Sequence, residues 1–253
     1  MKKEDLNIYV IMHKDVDLSK YKLDKCYKRL MVGKKETKID NMLFDSVGDN
    51  ISNKNKNYCE LTGLYWMWKN TKSKYIGLCH YRRFFTSNKT LKILSEKNIS
   101  TILDKYDVIL PQRTKLDRSV YDRYNYGHFI GDLDECRNII SEKYPEYLDD
   151  FDKLKKMNMY YSCNMFIMSK EKMDEYCEWL FNILFEVEKR IDITGRVPYQ
   201  QRVYGFLSER LFNVWLMHQN FKIHDNFVVN TEEKLLQRIK FIAFVILRKL
   251  RLY

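Results

Sequence analysis

The 253-residue chain has room for one α/β domain or two small ones, and its 45% hydrophobic and 15% aromatic content excludes a disordered polymer. A formal net charge of +11 favours acidic partners: nucleic acid, an anionic membrane, or phosphorylated small molecules. No apolar stretch approaches the ~20 residues of a membrane span, and the opening MKKEDLNIYVIMHKD places acids before a short apolar run, which argues against a signal peptide.

In chain order, Leu6 to Met12 (LNIYVIM) reads as a first buried strand, followed by mixed polar sequence with a short helix expected around Lys25. DNISNKNKN (49–57) reads as a loop placed to close over a ligand or simply to connect. From Asn57, the apolar spacing of Tyr58, Leu61, Leu64, Tyr65 and Trp68 predicts one continuous helix, with Asn57 and Glu60 spaced as a capping box. Tyr75 to Tyr81 predicts a buried strand that delivers His80, Tyr81, Arg82 and Arg83 at its carboxyl end. Helical spacing follows over Lys89–Lys105, then a strand over Tyr106–Leu110 stopped by Pro111. The tyrosine-rich passage from Pro111 to Glu135, with Tyr121, Tyr124, Tyr126, His128 and Asp132, reads as a long irregular segment of the kind that carries function. Helices are expected over Asp132–Lys143, up to Lys156, over Lys170–Arg190 and over Gln201–Asn220, with strands at Ser162–Met168 and Ile223–Val229. Strands alternating with helices predict an α/β fold with a largely parallel sheet.

The last stretch, EEKLLQRIKFIAFVILRKLRLY, brackets a seven-residue apolar run with basic side chains. It is suited to lie in an anionic membrane interface, or alternatively to dock on the protein's own core. The six cysteines form no CxxC pair and sit mostly in apolar segments, as expected of reduced thiols in a cytosolic protein.

Arg82 and Arg83 beside His80 supply rigid, permanently charged donor forks matched to phosphate oxygens. Such cations activate a diphosphate as a leaving group by stabilising its developing charge. Glu209 lies on an otherwise apolar helix, where burial raises a carboxylate toward a general-base range; an ion pair with Arg202 or Arg210 is the alternative. Asp132 is the second candidate base. The sequence contains no GxxxxGK[ST] or GxGxxG motif, so no cofactor is assigned and use of a divalent metal, Mn or Mg, stays open.

YIGLCHYRRFF, the preceding CELTGLYWMWKN, the YDVILP strand and SCNMFIM with RVYGFLSERLFNVWL resemble a bacterial family of capsular and exopolysaccharide biosynthesis, catalogued as a domain of unknown function and described as glycosyltransferase-like. The similarity runs from about Ile8 to Val229. It implies a single GT-A-like (Rossmann-like) domain over residues 1–230 with a mostly parallel central sheet. Residues 231–253 then form a separate basic amphipathic C-terminal helix. It also implies transfer of a sugar, galactofuranose in some members, from a nucleotide-diphosphate donor such as a UDP-sugar to a lipid-linked acceptor in capsule, exopolysaccharide or O-antigen synthesis. His80, Tyr81, Arg82, Arg83 and Arg210 would bind the donor, Glu209 or Asp132 would act as base in an inverting transfer, and Tyr124 and His128 would meet the acceptor. The expected location is cytoplasmic, peripheral to the inner face of the plasma membrane. A non-catalytic nucleic-acid-binding protein and another cell-envelope group-transfer enzyme are the competing readings; no nucleic-acid-binding module is recognisable.

Overall fold

The computed structural model describes residues 5–87 and 92–232. The first strand, β1 (Leu6–Met12), is buried along almost its whole length. Its side chains alternate, so Tyr9 and Ile11 join one apolar layer while Ile8, Val10 and Met12 join the other. β2 (Tyr27–Met31) and β3 (Met42–Phe44) extend the sheet from its edge. After α1 (Asn55–Tyr58) and α2 (Leu61–Asn70), β4 (Tyr75–His80) returns beside β1. These four strands run parallel in the order β3-β2-β1-β4.

Beyond β4 the architecture changes. A two-residue turn, Tyr81-Arg82, reverses the chain into β5 (Arg83–Thr86), where His80 pairs with Arg83. The chain continues through α3 (Glu96–Leu103), β6 (Val108–Pro111), a two-strand ribbon of β7 (Thr114–Lys115) and β8 (Met159–Tyr160), then β9 (Phe166–Ser169) and, near the end, β10 (Ile223–Asn230). β4 pairs with β5, β5 with β10, β10 with β6, β6 with β9, and β9 back with β4, which closes a ring of five strands. Only the β10–β6 junction is parallel; the other four are antiparallel. All five strands feed one apolar cluster, through Cys79, Phe84, Phe85, Ile109, Ile167 and Val228.

The expected single GT-A-like, Rossmann-like domain with a mostly parallel central sheet is therefore corrected. The fold is mixed α/β, with a parallel wing attached to a closed, mostly antiparallel barrel. Alternation of strand and helix was the basis for the parallel expectation. It fails because β5 follows β4 through a tight turn, and because β9 runs antiparallel to both of its neighbours.

The helices cover mainly one face. α4 (Val120–Gly127), α5 (Ile130–Lys143), α6 (Leu148–Lys156), α7 (Lys170–Arg190) and α8 (Val203–His218) pack with α2 in one large cluster that includes Tyr124, Ile139, Leu180 and Trp215. Close approach of α2 to β1 and β2 depends on Gly63, where a Cβ would lie 2.7 Å from Ile11 and 2.9 Å from Val32.

β1, α7 and β10 lie where the sequence pattern predicts them. The passage from Pro111 to Glu135 does not: most of it is helical in α4 and the start of α5. β2 occupies the region where a helix around Lys25 was expected. The expected basic helix at the C-terminus falls on residues 233–253, outside the described residues. Among the described residues no helix is long and apolar enough to cross a membrane.

Candidate active site

The site begins with a break in a helix. Sequence spacing predicts one helix from Asn57, but Cys59 adopts φ 53° and ψ −127°, separating α1 from α2. This is backbone geometry that a side chain rarely tolerates, and such strain concentrates at functional sites. The expected capping box is consequently absent. Asn57 donates instead to the carbonyl of Gln201 at 2.8 Å. Glu60, freed from a capping role, lines a cleft of about 450 Å³ together with Cys59.

A second strained turn faces it. Cys163 and Asn164, just before β9, hold φ of 77° and 48°. Asn213 on α8 fixes this turn by accepting from the Tyr161 N–H at 2.7 Å and donating to the Tyr161 carbonyl at 2.8 Å. The turn then presents three groups. The Cys163 N–H donates to Glu209 Oε1 at 2.9 Å, and the Cys163 carbonyl accepts from His80 at 2.8 Å. Asn164 Nδ2 donates to both Glu60 Oε1 and Ser208 Oγ at 2.8 Å.

Because a carbonyl only accepts, His80 must carry its proton on Nε2. Burial lowers the pKa of this imidazole, and the charges of Arg83 and Arg82 push the same way, so His80 is a neutral donor rather than a cation. The opposite shift is found at Glu209: burial raises its carboxyl above the usual glutamate range, aided by the charge of Glu60 and opposed by Arg210, the Cys163 N–H and Arg83. A carboxyl held in this way is more basic than an exposed glutamate and suited to accepting a proton.

The cations lie on the β4–β5 turn and the neighbouring helices. Arg83 lines the cleft and has no carboxylate partner within ion-pair distance among the described residues. Arg82 also lines it, but its guanidinium pairs with Glu232 at 3.3 Å and is 42% exposed. Tyr81 is buried, packed edge-on to His13 with Lys14 5.4 Å from its ring centre. Lys56 and Arg202 complete the positive lining, and Arg202 Nε donates to Cys59 Sγ at 3.1 Å.

The structure thus brings His80, Tyr81, Arg82, Arg83 and Glu209 into one cleft and places the other sequence candidates elsewhere. Arg210 lies behind Glu209, pairing with it at 3.0 Å and facing Tyr124 and Tyr160. Asp132 is buried and gripped by both terminal nitrogens of Arg196, at 2.5 and 2.9 Å. Tyr124 is fully buried. His128 stacks on Phe206 with ring centres 4.0 Å apart and is hydrogen-bonded to Gln200 at 3.2 Å.

Glu60, Cys59, Cys163, Lys56 and Arg202 line the cleft without having been singled out from the sequence. Glu60 was visible in CELTGL, but the helical pattern assigned it a capping role. The positive-φ geometry at Cys59 and Cys163 has no local signal, since glycine and asparagine are its usual markers. All six cysteines are free; Cys59 and Cys163 are half-buried at the cleft, while Cys26, Cys79, Cys136 and Cys177 are buried.

Among the described residues no group of three or more His, Cys, Asp or Glu side chains is placed to hold a metal ion. Both acids of the cleft are hydrogen-bonded, Glu60 by Asn164 and Glu209 by Arg210 and Cys163.

The geometry has a counterpart among solved structures. The apo structure of WbbM, a bifunctional glycosyltransferase, matches with a TM-score of 0.81 and 28% identity, over 90% of this chain and 46% of that one. The chain therefore spans less than half the length of that protein. No curated protein matches the sequence significantly. Residues 7–220 match the profile of the family described as domain of unknown function DUF4422. The chain belongs to that family.

Proposed function

We propose that the protein is a glycosyltransferase that moves a sugar from a nucleotide-diphosphate donor, a UDP-sugar such as UDP-galactofuranose, to a hydroxyl of a lipid-linked glycan. The observation that carries this reading is the cleft itself: Arg83, without a carboxylate partner among the described residues, lines it with Lys56, Arg202 and a half-buried carboxylate, Glu209, whose pKa is raised. The likeness to a bifunctional glycosyltransferase supports it.

In this reading Arg83, Arg202 and Lys56 hold the diphosphate, and neutral His80 stays fixed by Cys163. The acceptor oxygen attacks the anomeric carbon while the bond to the diphosphate oxygen breaks, its electron pair passing to the phosphate. Cations stabilise that developing charge. Glu209 takes the acceptor's proton as the new bond forms, and a single attack from the face opposite the departing diphosphate gives inversion. Glu60, held by Asn164, is placed to accept hydrogen bonds from sugar hydroxyls. Peripheral attachment to an anionic membrane through residues 233–253 belongs to the same reading.

Calorimetry with UDP-, GDP-, CMP- and dTDP-sugars tests it. Saturable binding of one of them, lost on addition of the matching nucleoside diphosphate, is the expected outcome. Binding of single-stranded DNA that falls steeply with salt, with no nucleotide-sugar bound, would replace it by nucleic-acid recognition.

A further inference from the structure

Next to the cleft lies a group of aromatic rings that the donor site does not use. Tyr199 is 56% exposed although its ring centre lies 5.1 Å from that of Phe206. Val197 and Phe129 are also exposed, and Arg196 stacks over Phe129 at 4.4 Å, linking the loop before α8 to the α4–α5 junction. Gln200 strengthens that link through the Gly127 carbonyl at 2.8 Å and through His128.

Arg202 joins these rings to the cleft. Its Nε contacts Cys59 in the lining, and its guanidinium carbon lies 5.7 Å from the Phe206 ring centre and 6.0 Å from that of Tyr199. Phe206 and Glu209 are three residues apart on α8, which separates them by about 4.5 Å along the helix axis. Phe206 therefore sits within one turn of Glu209 on the same helix, with His128 stacked on its ring at 4.0 Å.

We propose that Tyr199 and Phe206 form an acceptor platform that stacks the apolar C–H face of a sugar ring and presents its hydroxyl to Glu209. This rests on the glycosyltransferase reading and adds the class of acceptor group recognised next to the base. Aromatic faces suit a sugar because they combine broad apolar contact with tolerance of polar edges. A membrane surface fits the same rings less well. It needs basic heads free to reach lipid phosphates, whereas Arg196 beside these rings is tied to Asp132 through both terminal nitrogens.

Saturation-transfer NMR with methyl hexopyranosides of gluco, galacto and manno configuration, in the presence of UDP, provides the test. At least one sugar should receive saturation on its ring C–H protons. Tyr199→Ala should reduce the effect about fivefold or more, the scale of one lost aromatic contact, and Tyr199→Phe should retain it. Calorimetry with the UDP-sugar should give the same donor affinity in all three proteins. Equal saturation in wild type and Tyr199→Ala, or none in wild type, would overturn the platform whether or not a nucleotide sugar binds. Failure of donor binding with the sugar effect intact would instead count against the glycosyltransferase reading alone. Loss of sedimentation with anionic vesicles in Tyr199→Ala, with sugar saturation unchanged, would overturn the platform and make the patch a membrane contact.

Discussion

Two acid–arginine pairs lie on the helical side of the molecule, and they are built for different purposes. Asp132 and Arg196 meet fork to fork, with both carboxylate oxygens engaged and side chains only 5% and 12% exposed. Glu209 receives a single nitrogen of Arg210, at 3.0 Å, and a backbone N–H on its other oxygen, and its side chain is 22% exposed to the cleft. A bidentate guanidinium occupies both oxygens of its carboxylate and fixes it in place. A single contact in a desolvated setting leaves it basic and reachable. The same two residue types thus produce a structural clamp in one place and a candidate base in the other.

The largest effect expected from breaking this contrast is on turnover. Glu209→Gln keeps the shape and removes the basicity, so the rate of sugar transfer should fall by roughly 10²–10⁴-fold while donor affinity holds. Asp132→Asn should leave turnover per folded molecule unchanged. Initial rates alongside calorimetry measure both, and near-normal turnover in Glu209→Gln would remove it from the base role.

Stability should respond in the opposite way. Asp132→Ala strands the buried charge of Arg196, a loss of about 3–5 kcal/mol. Urea denaturation should show this as a lower midpoint with an unchanged slope.

Arg83 and Arg82 sharpen the comparison on the donor side. Arg83→Ala should weaken nucleotide-sugar binding by about 1.5–3 kcal/mol, the value of a charge-assisted contact in a cleft. Arg82→Ala should cost no more than about 1 kcal/mol, because this arginine is partly exposed and already paired with Glu232. Calorimetry on the two variants checks the order, and an equal loss in both would contradict it.

The smallest effect concerns pH. Glu209 acts as base only when ionised, and burial raises its pKa, so turnover should decline as pH falls through a value above the usual glutamate range. Arg83 lowers that pKa. Its removal should therefore move the acid limb of the pH–rate profile of kcat to higher pH, measured at saturating donor. A limb that stays in place would separate Arg83 electrostatically from Glu209.

Part of the site was legible because it is local. The apolar run YIGLCH followed by Tyr81, Arg82 and Arg83 marks a buried strand ending in donors, and the structure places those residues on the cleft. Glu209 stood out as an acid on an apolar helix, and it is there with its pKa raised. Asp132 looked comparable, since nothing in the sequence shows that Arg196, 64 residues later, closes on it. Tyr124 and His128 were drawn from a passage read as irregular that is in fact two helices, so one ring went to the core and the other onto Phe206.

The sequence by itself determined β1, β4, β6, β9 and β10, the long amphipathic helices and the net positive charge, because hydrophobic periodicity and charge act over neighbouring residues, but it did not show β2, β3 or β5. Strand direction around the barrel is a different kind of property. Whether β9 runs parallel or antiparallel to β4 depends on pairings between residues about 90 positions apart, such as Gly77 with Ile167, and each strand alone is compatible with either direction. The active-site turns belong to the same class. Cys59 and Cys163 have positive φ although their side chains disfavour it, and contacts from elsewhere in the chain, through Arg202, Glu209, Asn213 and Ser208, add to the local bonds of Asn55 and Thr62 in holding the two turns in that shape.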